Sequence, residues 1–294
     1  MKQNAHGILI SIIITLSVLT VATFSVNAVF SLRTLSPAIQ VSVAATTAEE
    51  DDGDEPTTTA DQSATVESDT TVAATTKPHV SGPRNIYLTI DDGPSKNTPG
   101  ILAILKQYHV KATFFVVNFN HGKYVDFLKN IADDGHAIGL HSASHDYKKI
   151  YSSEKAFWAD IQKISDVVKD KTGIESKIVR FPGGGSNTIS RQYSKGIMTR
   201  LAQEVEEKSY AYFDWNCETG DASGPKMSSK DLVNNTKYIA VKVGGDITLL
   251  MHDRDDLPNA VKALPEIIEY FQNRGFAFKI ITQKTPAVHH RINN

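Results

Sequence analysis

"LTIDDGPS", residues 88–95, decides how the rest of this chain is read. An apolar, β-rich run stops at two adjacent carboxylates, Asp91 and Asp92, and then turns at Gly93 and Pro94. Two acids at the end of a buried strand repel each other, a cost that persists unless something positive sits beside them. The stretch therefore predicts a strand whose carboxyl end carries a site. Adjacent side chains of an extended chain point to opposite sides, so the two acids are expected to do different jobs.

Working outward, short β-rich runs alternate with helical patterns, the signature of parallel strands joined by helical crossovers. The runs lie at 86–90, 112–117, 137–140, 178–181, 210–214, 247–251 and 276–281. Thr98 and Pro99, as cap and first-turn proline, introduce an apolar face of Ile101, Leu102, Ile104, Leu105 and Tyr108. Ser153 opens a helix with Phe157, Ile161, Ile164 and Val168 on one stripe and Gly173 at its end. A last helix carries Val261, Leu264, Ile267, Ile268 and Phe271 and closes at Gly275. This alternation fits an open doubly wound sheet, or a distorted barrel of about seven parallel strands, one short of the eight-stranded form. Both place ligands at the carboxyl ends of the strands.

The reactive side chains fall at that end. Asp91 and Asp92 follow the first strand, His141 and His145 the third, and Arg180 lies near the end of the fourth. Asp214 ends the fifth and His252 follows the sixth. "HSASH", residues 141–145, sets two imidazoles four residues apart, on one face of a helical turn and within reach of one ion. A neighbouring carboxylate would complete three ligands and leave a position for water. No Glu follows the first His, as a zincin requires, so the base must come from elsewhere. One of the two aspartates is expected to ligate the cation and the other to receive a proton from the attacking water.

"TIDDGP", "HSASH", "RFPGG", "FDWN" and "LLMHD" occur in that order. Together they resemble the five motifs of the polysaccharide deacetylase family, the NodB homology or carbohydrate esterase 4 domain, from residue 84 to about 285. "KATFFV" at 111–116 and "GHAIGLHS" at 135–142 agree. The resemblance implies that Asp92, His141 and His145 hold the metal and that Asp91 is the general base, paired with and oriented by Arg180. It implies His252 as the acid that protonates the departing amine, tuned by Asp214. It also implies a groove for the acetyl methyl lined by Trp215 and Leu250, with a backbone N–H near Gly183 as a second oxyanion donor. The family often has Phe at the position of Ile90, Asn at that of Leu140 and Tyr after Pro182, where this chain has Gly183, Gly184 and Gly185. An acetamide is a poor electrophile with a poor leaving group, so its hydrolysis needs these three services: activated water, oxyanion stabilisation and an acid for nitrogen. Zinc suits two imidazoles and a carboxylate, and cobalt, manganese or iron fit the same ligands.

The flanks say where the domain works. Residues 8–30 hold no charged residue, a run long enough to cross a bilayer as a helix. With Lys2 before it and Arg33 after it, the expectation is a single-pass anchor with the body outside; Val26, Asn27 and Ala28 offer the alternative of a cleaved signal peptide and secretion. Residues 46–76 are mostly Thr, Ala, Ser, Asp and Glu, with nine acids, no Lys or Arg and almost nothing apolar, a spacer too polar to fold. The expected organisation is an anchor at 1–33, a disordered linker at 34–83, the deacetylase domain at 84–286 and a tail at 287–294.

Several classes are excluded. Without Lys2, Arg33 and the acidic linker residues, the body carries a net charge of +5 against −2 for the whole chain; that suits an anionic wall, but no Lys/Arg cluster marks a nucleic-acid surface. Cys217 is the only cysteine, so there is no internal disulfide, and it reads as a small buried apolar group. No G-x-S-x-G nucleophile elbow occurs near the strand ends, and Gly183–Gly185 lack the spacing of a phosphate loop. Asp51–Glu55 lack the spacing of a calcium loop, and His6, His79, His109, His121, His136, His289 and His290 have no evident partners. The expectation is a monomeric, membrane-tethered deacetylase of N-acetylglucosamine in peptidoglycan, bound to one divalent cation. Alternatives are chitin oligomers, an exopolysaccharide or acetylated xylan as substrate, or a carbohydrate-binding barrel without turnover.

Overall fold

β1 (Asn85–Asp91) is buried along almost its whole length, which is why it reads as an unbroken apolar run. This computed structural model describes residues 84–118, 122–223 and 226–294. The expected anchor and linker lie outside the described residues, and no described helix is long and apolar enough to cross a membrane. Seven parallel strands follow one another across the sheet as β5 (Ala211–Tyr212), β4 (Ile178–Val179), β3 (Ala137–Ser142), β2 (Thr113–Val117), β1, β7 (Ile247–His252) and β6 (Cys217–Glu218). β8 (Ala277–Phe278) pairs with the first residues of β1, ahead of the point where β2 takes over. Among the described residues β5 and β6 find no further strand, so the barrel is an open half-barrel.

The sheet is curved around two apolar clusters set by strand alternation. Ile86, Leu88 and Ile90 face the outer cluster, built with the helices, whereas Tyr87, with Phe115, Ile178, Phe213 and Ile281, fills the inner one. α1 (Thr98–Gln107) buries Ile101, Leu102 and Leu105, and α4 (Glu154–Thr172) buries Phe157, Ile161, Ile164 and Val168. α7 (Pro258–Asn273) buries Leu264, Ile267, Ile268 and Phe271. Each such side chain contributes about 1.5–3 kcal/mol on leaving water. α2 (Phe127–Asp133), α3 (Tyr147–Ile150), α5 (Ile197–Glu207) and α6 (Ser229–Ala240) complete the crossovers.

Two expectations are corrected here. β6 adds an eighth strand to the seven expected, because a Cys-Glu pair gives no apolar run to read. Thr98 does not cap α1; Asn97 holds that position, and the Thr98 hydroxyl instead accepts from Ser95 N and donates to Asp253. The ends expected for α4 hold: the Ser153 hydroxyl accepts from Ala156 N, and Gly173 closes the helix at φ +73°.

Candidate active site

The parallel register brings the strand ends level, with Asp91 opposite Phe115 on one side and His252 on the other. Asp91 follows Tyr87 and Thr89 on the inner face, opposite Leu250 and His252. Arg180, just beyond β4, is fully buried inside the half-barrel with its guanidinium 4.2 Å from the centre of the Phe115 ring. It donates to Asp91 Oδ1 (2.8 Å), Thr89 Oγ1 (2.7 Å), Phe213 O (2.8 Å) and Asp214 O (3.0 Å). A buried cation needs such pairing to be tolerated.

Asp91 and Asp92 do not splay apart as an extended chain would place them. Asp92 turns at φ +70°, in the left-handed region, at a cost of about 1–2 kcal/mol for a side chain with a Cβ. Both carboxylates thereby approach the same ring: His141 Nε2 lies 3.9 Å from Asp91 Oδ2 and 3.6 Å from Asp92 Oδ1. His145 Nε2 lies 3.4 Å from that same Asp92 oxygen. What separates the acids is partnership. Asp91 Oδ1 is committed to Arg180, while Asp92 Oδ1 is buried without a hydrogen-bond partner among the described residues.

One ligand atom each from Asp92, His141 and His145 can lie within 4.8 Å of the others, a set that fits a divalent cation. His141 Nδ1 is 2.8 Å from Arg180 O, which makes that nitrogen the N–H and leaves the Nε2 lone pair facing the cluster. Burial above all, opposed by the charge of Asp92, pushes His141 down to about 3, so the ring is neutral at ordinary pH. Burial also pushes the Asp91 carboxyl above its usual range, against the pull of Arg180 and His252.

The "HSASH" loop is held by a residue the sequence reading did not single out. Asp160 of α4, itself buried, accepts from Ser142 Oγ, from Ala143 N at 2.7 Å and from Ser144 N at 3.1 Å. Ser142 Oγ in turn accepts from His145 N at 2.8 Å. The β1 turn has a similar pin: Asp253 accepts from Ser95 and Thr98, and a Cβ on Gly93 would lie 2.5 Å from its carboxylate. Only glycine lets the two loops approach that closely.

His252 requires a correction. Its Nδ1 is 2.8 Å from Asp221 Oδ1, and its backbone N–H donates to Asp221 Oδ2 at 2.8 Å. Asp214 was the expected partner, but its carboxylate accepts from Gly185 N and His290 N, both at 2.8 Å, on the far side of Arg180. The chain makes this exchange because Asp214 is fully buried behind the glycine loop, whereas the loop after β6 swings Asp221 under the imidazole. Burial opposes the charged ring, but the bond and charge of Asp221, with Asp91 and Asp92, outweigh it and push His252 up to about 9.

Around this cluster Trp215 packs against the glycine loop: a Cβ on Gly184 would lie 2.9 Å from its ring, and its Nε1 donates to Glu218 at 3.0 Å. Leu250 is buried in β7 beside Thr89 and Glu218. Tyr147 stands edge-on to His145, ring centres 5.6 Å apart, and burial with the charges of Asp92 and Asp91 pushes its hydroxyl up to about 12. A cleft of ≈ 290 Å³ opens on Asp92 and His145 and runs past Tyr124 to Asp255 and Asp256.

A parallel α/β half-barrel with an Asp-His-His cluster, a second buried acid and a charged imidazole at its strand ends defines a class of metal-assisted hydrolytic site. Residues 79–201 match the family model described as polysaccharide deacetylase. A peptidoglycan-N-acetylglucosamine deacetylase of Bacillus cereus is 31% identical over 205 residues, covering 67% of this chain and 68% of the relative. The catalytic domain of a peptidoglycan N-acetylglucosamine deacetylase from Eubacterium rectale is 41% identical with a TM-score of 0.70, over 76% of this chain and 99% of that one. A polysaccharide deacetylase structure from Bacillus cereus is 26% identical with a TM-score of 0.59, over 69% of this chain and 96% of that one. The chain belongs to the polysaccharide deacetylase family.

Proposed function

We propose that this protein hydrolyses the acetamide of N-acetylglucosamine units in peptidoglycan, using one divalent cation held by Asp92, His141 and His145. The observation that carries the reading is the buried Asp92 Oδ1, without a hydrogen bond from any described residue, 3.4 and 3.6 Å from two imidazole Nε2 atoms. When bound, the cation polarises the carbonyl and makes water a better nucleophile at neutral pH. Zinc is the first choice for this donor set.

The chain's own groups divide the rest of the work. Asp91 takes the proton of the attacking water as a C–O bond forms at the carbonyl carbon. Arg180 fixes Asp91 in place through Oδ1 and leaves Oδ2 turned toward the cluster. His252, charged at neutral pH through Asp221, gives its proton to the nitrogen as the C–N bond breaks. The products are acetate and a free amine. Trp215 and Leu250 border the site on the side of Arg180 and β7, where the acetyl methyl would be received, and the Gly183 N–H serves as a further donor to the carbonyl oxygen. Acetate release from peptidoglycan by metal-loaded protein tests the reading, with metal analysis of the same sample. Absence of acetate from peptidoglycan and from every other N-acetylated glycan would overturn it.

For the whole chain we infer an anchor in residues 8–30 and a spacer that lets the domain reach the wall from outside the membrane. The support is the uncharged run and the acidic, apolar-poor stretch after it. Full-length protein should stay with membranes through alkaline carbonate washing and leave only with detergent; release by carbonate alone would overturn the anchor.

A further inference from the structure

We propose that Tyr147 is a catalytic residue whose hydroxyl donates a hydrogen bond to the acetamide carbonyl oxygen. This rests on the deacetylase reading above and adds a side-chain donor to it. Tyr147 opens α3 two residues after His145, and its ring is wedged edge-on between His145 and Tyr151, each 5.6 Å away between centres. Tyr151 in turn donates to Pro182 O at 2.7 Å, which ties the same aromatic column to the turn that begins the glycine loop. The column fixes where the Tyr147 hydroxyl ends: a Cβ on Gly183 would lie 2.6 Å from that oxygen. Gly183, at φ +78°, thus leaves open the volume that the hydroxyl fills.

The ring thus stands beside the cluster ligand His145 while its hydroxyl lies against Gly183, whose N–H is the other donor proposed for the carbonyl oxygen. Phenylalanine would pack the ring equally well, so the proposed role belongs to the hydroxyl alone. In the reaction, the new C–O bond forms on the carbonyl carbon as the π pair of C=O moves onto oxygen. A neutral O–H beside that oxygen stabilises the charge while keeping its own proton. The pair returns to re-form C=O as C–N breaks.

The test uses the full chain loaded with zinc. Tyr147→Phe keeps the ring and should lower kcat for acetate release about 10²-fold, the cost of one oxyanion donor, with KM and bound zinc within about twofold of wild type. An unchanged kcat, a change confined to KM, or loss of zinc alongside the rate would each overturn the proposal. A wild type that releases no acetate from any N-acetylated glycan would instead overturn the deacetylase reading, before any variant is compared.

Discussion

Asp91 and Asp92 are chemically identical neighbours, and what divides their roles is which oxygen is already spoken for. Arg180 holds one Asp91 oxygen, and no described residue hydrogen-bonds the facing oxygen of Asp92. Two variants separate the roles. His141→Ala should lose both bound metal and acetate release, whereas Asp91→Asn should keep the metal and lose turnover by a factor of about 10² or more; metal analysis beside acetate release checks both. Equal turnover in Asp91→Asn would remove the base assignment. The Asp221–His252 pair yields a pH prediction. His252 is pushed from its ordinary value of 6.5 up to about 9, so it carries its proton at neutral pH and loses it as pH rises through that value. Activity that needs this proton falls on the alkaline side. Removing the charge in Asp221→Asn should bring that alkaline limb down by about one to three pH units in kcat/KM, while Asp214→Asn should leave it in place. A limb that moved with Asp214 and stayed with Asp221 would make Asp214, not Asp221, the partner that tunes His252. The ligand and base types were legible at this scale because strand ends carry them within short motifs. Asp221 was not, since its partnership with His252 crosses 31 positions and depends on how one loop folds back.

At the scale of elements, the metal-ligand loop is steadied from a helix that contributes nothing to the cluster directly. Asp160 of α4 receives Ser142 and two loop N–H groups, and so fixes the bend that carries His145 at φ +50°. Asp160→Ala should therefore lower metal affinity about 10–100-fold, the usual effect of removing a group that orients ligands, while far-UV circular dichroism stays that of the wild type. Isothermal titration of the metal-free protein with zinc measures it; wild-type affinity in the variant would show that the loop holds its own shape. Legibility follows the same lines. β1, β2, β3 and β7 span five to seven residues and pack on both faces, so their apolar runs announce them. β4, β5, β6 and β8 are each two residues long, placed by ladder pairing with their neighbours, and no local run of that length can mark its own limits. The α4 caps were readable because Ser153 and Gly173 act within their own turns. Thr98 misled because its hydroxyl is used by Asp253, 155 positions away.

At the scale of the whole described domain, the half-barrel leaves a seam between β5 and β6, and residues 288–294 lie along it rather than trailing as a tail. Val288 O accepts from Asp214 N at 2.8 Å, and the His289 ring stacks on Tyr212 with centres 3.8 Å apart. His290 donates its backbone N–H to Asp214, and its Nε2 lies 2.6 Å from Trp215 O. Further along, Asn293 O accepts from Arg191 and Asn294 reaches Ser190. The sequence offers no hint of this, since a polar segment rich in His and Asn has no apolar period and draws its bonds from backbone that strand pairing leaves unused. The segment therefore closes the open edge of the fold and supports Asp214 and Trp215 from behind, on the face that borders Arg180. Ending the chain after Pro286 should cost about 2–4 kcal/mol from these bonds, a fall in Tm on the order of 5–10 °C. It should also raise KM for glycan severalfold with bound zinc unchanged, because Asp92, His141 and His145 take no support from this side. Differential scanning calorimetry together with steady-state acetate release checks both effects. A shortened chain with unaltered Tm and KM would mean that the seam is stable when left open.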